Sequence, residues 1–89
     1  MGAEQKLRNY LIENGAKEML VNNETVYEHK GKFYILSTGN THFILESAMS
    51  IDDVAENNTD DIGMYARRNG DDSLVSEIKS DMDKFIFNA

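Results

Sequence analysis

Between Thr25 and Glu46 the chain reads TVYEHKGKFYILSTGNTHFILE: three segments rich in β-branched and aromatic residues, parted by two short breaks. Segments of that composition suit a pleated, half-buried surface. Breaks this short admit hairpin turns and little else. Thr25 to His29, Lys32 to Ser37 and Thr41 to Glu46 are therefore expected to form an antiparallel meander. Lys17 to Asn22, with Met19, Leu20 and Val21, adds a short strand or extends the first one, so the meander has three to four strands.

The loops set the register. Lys30-Gly31 suits a two-residue turn, which pairs Tyr27 with Tyr34. Thr38-Gly39-Asn40 suits a three-residue one, which pairs Ile35 with Phe43 and Phe33 with Leu45. One face then carries Val26, Phe33, Ile35, Phe43 and Leu45 and is expected to pack on Leu7, Leu11, Leu74, Ile78, Met82 and Phe85. The other carries Tyr27, His29, Tyr34, Leu36, His42, Ile44 and Glu46. A one-residue slip would send Phe43 and Leu45 to the second face. The three-residue loop separates apolar from polar more cleanly and is preferred; Glu28 is the misfit on the apolar face.

Helical signals flank the meander. Ala3, Leu7 and Leu11 recur every fourth residue, Tyr10 widens their stripe, and Gly15 stands where a left-handed C-terminal residue belongs. Ser50 precedes Ile-Asp-Asp as an N-cap with acids in the first turn, and Asn57-Asn58 ends that short helix. Thr59 is expected to cap a second short helix holding Ile62, Tyr65 and Ala66. A longer helix starts at Asp72 or Ser73, with Leu74, Ile78, Met82 and Phe85 inward and Val75 and Ile86 broadening the stripe. On this assignment Asp60 and Asp61 open a helix, Arg67 and Arg68 close it, Asn69-Gly70 caps it, and Asp71-Asp72 opens the next. Helix dipoles favour those signs at those ends.

The charge is lopsided. Met1 to Leu45 holds five acids and five bases, whereas Glu46 to Ala89 holds eleven acids and four bases, which accounts for the whole net charge of -7. An excess of that sign opposes contact with a nucleic-acid backbone and suits a basic protein surface. Cysteine is absent, which excludes disulfides, thiolate metal sites and a thiol nucleophile, and fits a reducing cytoplasm. No apolar run approaches a membrane span, and MGAEQKLRN lacks the parts of a signal peptide.

Chemistry-bearing patterns are few. Asn58, Asp60 and Gly63 mimic a calcium loop, but Ile62 and Asn69 occupy ligand positions, so no metal is expected there. His29 and His42 lie on the outer face of the two flanking strands, and only Glu46 suggests itself as a third ligand. Nucleophile motifs and phosphate-cradling glycine loops are missing.

The expected architecture is therefore α+β within one domain: an N-terminal helix, a three- to four-stranded antiparallel meander, two short helices and a longer C-terminal helix. The expected function is that of a non-enzymatic cytoplasmic module, without cofactor, that binds a basic protein partner. The sharper form is an inhibitor filling a basic groove as a nucleic acid would. Its contact residues would be the acids Asp52, Asp53, Glu56, Asp60, Asp61, Asp71 and Asp72, the outer-face residues Tyr27, Tyr34, Leu36, His42 and Ile44, or both. A second possibility is a ligand or enzyme pocket built from Arg67 or Arg68, His42 and Glu28. A third is a homodimer through the outer sheet face or a strand edge.

Overall fold

Two hairpins form where the backbone must turn left-handed. Asn22 and Asn23 have φ of 51° and 66°, and Lys30 and Gly31 have 52° and 83°, so each pair is the centre of a type I′ turn. They tie together the first strands of an α+β fold, seen in a computed structural model that describes residues 2–67 and 71–88, Asp71 by its backbone alone. Helix α1 (Ala3–Glu13) precedes β1 (Lys17–Val21), β2 (Glu24–His29), β3 (Lys32–Thr38) and β4 (His42–Ala48). A short α2 (Ile51–Ala55) leads to β5 (Asp60–Ala66), and α3 (Asp71–Met82) runs on into a π-helical turn (Asp83–Phe87). The five strands make one antiparallel sheet in chain order, so both β1 and β5 are outer strands.

The sheet exceeds the expected three to four strands because the segment after Thr59 is β5 and not a short helix. Its acids mimic a helix start, yet Gly63 is a poor helix former and pairing with β4 prevails. Asp60 and Asp61 therefore open a strand, and Arg67 follows its end. Arg68, Asn69 and Gly70 lie outside the described residues, so the proposed cap at Asn69-Gly70 falls there too.

The register of the β2–β3 hairpin is as expected, with Tyr27 opposite Tyr34. That of β3–β4 is not. Gly39 donates its backbone N–H to the His42 carbonyl at 2.8 Å, and Thr38 faces Phe43, Leu36 faces Leu45 and Tyr34 faces Ser47. Four residues, Gly39 to His42, lie between the innermost pair instead of three. The parity change moves Phe43 and Leu45 beside Tyr27, Tyr34 and Leu36.

That shared face is the main core. Tyr27, Tyr34, Leu36, Phe43, Leu45 and Tyr65 are buried against Leu7 and Leu11 of α1 and Leu74, Ile78 and Met82 of α3. The opposite face holds a smaller cluster in which Val54 of α2 covers Val26, Ile35 and Ala48, with Met19, Val21 and Phe33 beside them. Val26, Phe33 and Ile35 thus pack under α2 and not under α1 and α3, contrary to expectation.

Helix ends follow local chemistry. Gly15 has φ of 101°, and the N–H groups of Gly15 and Ala16 bond Ile12 and Leu11 carbonyls at 3.1 and 3.0 Å, a Schellman ending for α1. Ser50 Oγ accepts from the Asp53 N–H at 3.1 Å and caps α2. Asn57, at φ of 58°, ends α2 the same way as Gly15 ends α1, with Asn58 bonding the Asp53 carbonyl. At the C-terminus Asn88 N–H bonds the Asp83 carbonyl at 2.8 Å, five residues back. This wider turn carries Ile86 inward behind Leu74, Ile78 and Met82 and rotates Phe85 out to 44% exposure, which corrects the inward placement of Phe85.

Two substitutions probe this packing. Ile86→Ala should cost about 2–5 kcal/mol in urea unfolding, whereas Phe85→Ala should stay within about 0.5 kcal/mol of the parent. At Gly63 a Cβ would collide with the Tyr65 hydroxyl and ring, which fold over that glycine. Gly63→Ala should therefore lower the urea midpoint and shift the near-ultraviolet tyrosine circular dichroism, and an unchanged spectrum would refute the contact.

Candidate functional site

The carboxylates of the C-terminal half divide between two sides of the sheet. Glu46 of β4 lies opposite Asp61 of β5, and Ser47 lies opposite Asp60. The connection between these paired ends is α2 with its flanking residues, which supplies Asp52, Asp53 and Glu56. Six acids are therefore gathered at one end of the β4–β5 ribbon. A β-bulge between Leu45 and Glu46 offsets the pairing at this point. Thr59 and Ser37 hydroxyls donate to Glu46 and hold its side chain, and Asn58 Nδ2 donates to Asp53 Oδ1 at 3.2 Å. Asp52, Glu56, Asp60 and Asp61 are exposed. Among the described residues no lysine or arginine pairs with any of the six.

Asp72 stands apart from this group. It opens α3, on the other side of the sheet, and faces Lys6 of α1 at 3.5 Å. An ion pair so exposed contributes roughly 0–1 kcal/mol. The Asp71 side chain lies outside the described residues. The acidic half is thus one concentrated end plus an α3 surface, not one continuous field.

The expected outer face is redistributed. Tyr27, Tyr34 and Leu36 are buried beneath α1 and α3, so they offer no surface to a partner or a second copy. His42 and Ile44 are half-buried on the opposite face, where they line an open groove of about 330 Å³ with Ser37, Thr38, Gly39, Thr41 and Met64. The two histidines also part company. His29 packs edge-on against Phe87 at 5.0 Å with its Nδ1 shielded and unpartnered, while His42 Nδ1 bonds the Thr41 hydroxyl at 2.9 Å. Among the described residues no three His, Cys, Asp or Glu side chains gather in a metal-holding arrangement.

The residues of the alternative pocket do not converge. Glu28 pairs with Lys17 and Phe33, and its carboxylate accepts from the Gly31 N–H in the hairpin at 3.4 Å. Phe33 lies opposite Ala48, six residues along β4 from His42, so Glu28 and His42 are about 20 Å apart along the strands. The Arg67 guanidinium lies 4.4 Å above the Phe43 ring on the helix-covered face, a cation–π contact, while its backbone N–H bonds Thr41. Arg68 lies outside the described residues.

A polar network that sequence patterns did not reveal joins α1 to the sheet. Arg8 donates to Glu4 at 2.9 Å, to the Tyr27 hydroxyl at 3.3 Å and to the Leu36 carbonyl at 3.1 Å. Tyr27 in turn donates to Glu18 at 2.9 Å, and the Thr38 hydroxyl donates to Glu4 at 2.9 Å. Two further tyrosines anchor the C-terminal helix: Tyr10 donates to Asp83 of the π-helical turn at 2.5 Å and Tyr65 to Asp81 of α3 at 2.6 Å. The bond from Arg8, helped by that from Thr38, holds Glu4 below the usual carboxylate range against the opposing effect of burial. Burial and the Asp81 bond push the Tyr65 phenol up; the Asp83 bond and burial do so for Tyr10. The helical i, i+4 spacing of Glu4 and Arg8 was visible in sequence, but their reach to Tyr27, Thr38 and Leu36 depends on the tertiary fold.

No helix among the described residues is long and apolar enough to cross a membrane. Comparison with protein-family models, curated proteins and solved structures found no match to this chain.

The network predicts a pH response. Glu4, its folded pKa lowered, contributes stability that is present above its ordinary pKa of 4.5 and lost as pH falls through the folded value. Tyr10 and Tyr65, their folded pKa values raised above 10.0, contribute stability that is present below pH 10 and lost as pH rises through the folded values. Urea midpoints across pH should show Glu4→Gln flattening the acid limb alone, and a parallel acid limb in the variant would contradict this.

Proposed function

We propose that this protein is a small non-enzymatic binding module of the cytoplasm whose recognition surface is the acidic end of the β4–β5 ribbon. Asp52, Glu56, Asp60 and Asp61 present their charge outward, with Glu46 held beside Asp61 and Asp53 half-buried in the first turn of α2. The observation that carries this proposal is that no base among the described residues neutralises these groups. Unpaired like charges repel one another and cost stability. A complementary basic surface removes that cost and gains from the same field. The partner in this proposal is a protein with a basic groove, and the carboxylates occupy it as backbone phosphates would.

Salt and charge provide the test. The tagged protein and a variant carrying Asp52→Asn, Asp53→Asn, Glu56→Gln, Asp60→Asn and Asp61→Asn are used for affinity capture from host lysate at low and high ionic strength. A partner retained at low salt should be lost at high salt and lost by the variant at either. Retention that ignores both salt and these substitutions would refute the proposal.

A further inference from the structure

Resting on that proposal, we infer that the partner is held as an extended segment alongside β5, bearing an apolar side chain two residues from a lysine or arginine. On the face shared with α2, Ile44 pairs with Met64 and Glu46 with Asp61. Helix α2 covers Val26, Ile35 and Ala48 on this face but leaves Met64 60% exposed. Ile44 and Met64 form the apolar floor of the 330 Å³ groove, with Ser37, Thr41 and His42 around it. The face therefore changes from an apolar groove to paired carboxylates within two residues of β4, about 7 Å.

The same two-residue step separates side chains on one face of an extended peptide. A peptide strand beside β5 with an apolar residue against Met64 thus carries its next same-face residue to Asp61, which Glu46 adjoins, so a lysine or arginine there finds two carboxylates. The backbone has somewhere to dock as well. β5 is an outer strand, and its outer edge pairs with no strand among the described residues. From Ile62 to Ala66 that edge holds no charge and no proline, two of the devices that block strand addition, and the bulge is confined to its Asp61–Ile62 end.

Two synthetic peptides of roughly eight residues, a common strand length, separate the groove from the charge. One repeats Leu-Ser-Lys-Ser, which sets leucine and lysine two residues apart on one face; the other has serine in place of each leucine and equal charge. NMR titration at low salt should show the leucine peptide shifting the amides of Ile44, Ile62 and Met64 together with Asp61. It should bind about tenfold more tightly than the serine peptide, the order expected for one buried apolar side chain. Met64→Ser, at an exposed position, should erase that advantage. Equal affinities, or shifts confined to the β1 edge, would overturn the inference and leave the charge-based proposal standing. Failure of both peptides to bind at low salt would overturn both.

Discussion

Gly39 and His42 close the loop between β3 and β4 so that Leu36 meets Leu45 and Thr38 meets Phe43. Side chains alternate along a strand, so this loop's parity assigns every residue beyond it to a side of the sheet. Tyr27, Tyr34 and Leu36 would be left without Phe43 and Leu45 if the loop were one residue shorter. With the observed parity they form a continuous surface broad enough to seat α1 and α3, and Tyr65 of β5 completes it. The other face retains Val26, Ile35 and Ala48, which the single residue Val54 of α2 can cover. The large and small cores are thus consequences of one connection.

Features decided within a few residues were legible in the sequence. Gly31 in a two-residue break, Gly15 after α1, Ser50 before α2 and Asn57 after it each occupy the positions their local chemistry suggests. The apolar repeat of Leu74, Ile78 and Met82 marked the inward side of α3. Features decided by distant partners were not legible. Both loop parities leave apolar residues on both sides of the sheet, and the cleaner apolar–polar separation pointed to the parity that the chain does not adopt. The acids at Asp60 and Asp61 resemble a helix start, and only pairing with β4 shows otherwise. Phe85 turns outward, while Ile86 stays inward as expected, because of a π-helical turn that no residue type announces. The surplus of acids was evident from the sequence, but its division was not. That requires knowing that α2 and α3 sit on opposite faces.

The core is bounded by amphipathic side chains. Tyr27, Tyr65 and Tyr10 lay rings on or beside the apolar cluster and carry hydroxyls to Glu18, Asp81 and Asp83. Arg8 similarly passes its stem between α1 and the sheet and spends its donors on Glu4, Tyr27 and the Leu36 carbonyl. Such bonds add little net energy each, but leaving a buried partner unmet costs about 1–3 kcal/mol. They therefore select one docking of α1 and α3 over others with similar apolar contact. The carboxylates of Glu4, Glu18, Asp81 and Asp83 are engaged in this work, unlike those near α2.

The Tyr65 ring rests where Gly63 lacks a side chain, and its hydroxyl reaches Asp81 of α3. Positions 63, 65 and 81 are consequently bound into a single unit of inheritance. A lineage that acquires a larger residue at 63 should also have given up the aromatic ring at 65, and with it the reason to keep an acceptor at 81. Divergent descendants of this chain are expected to change these three positions together or keep all of them.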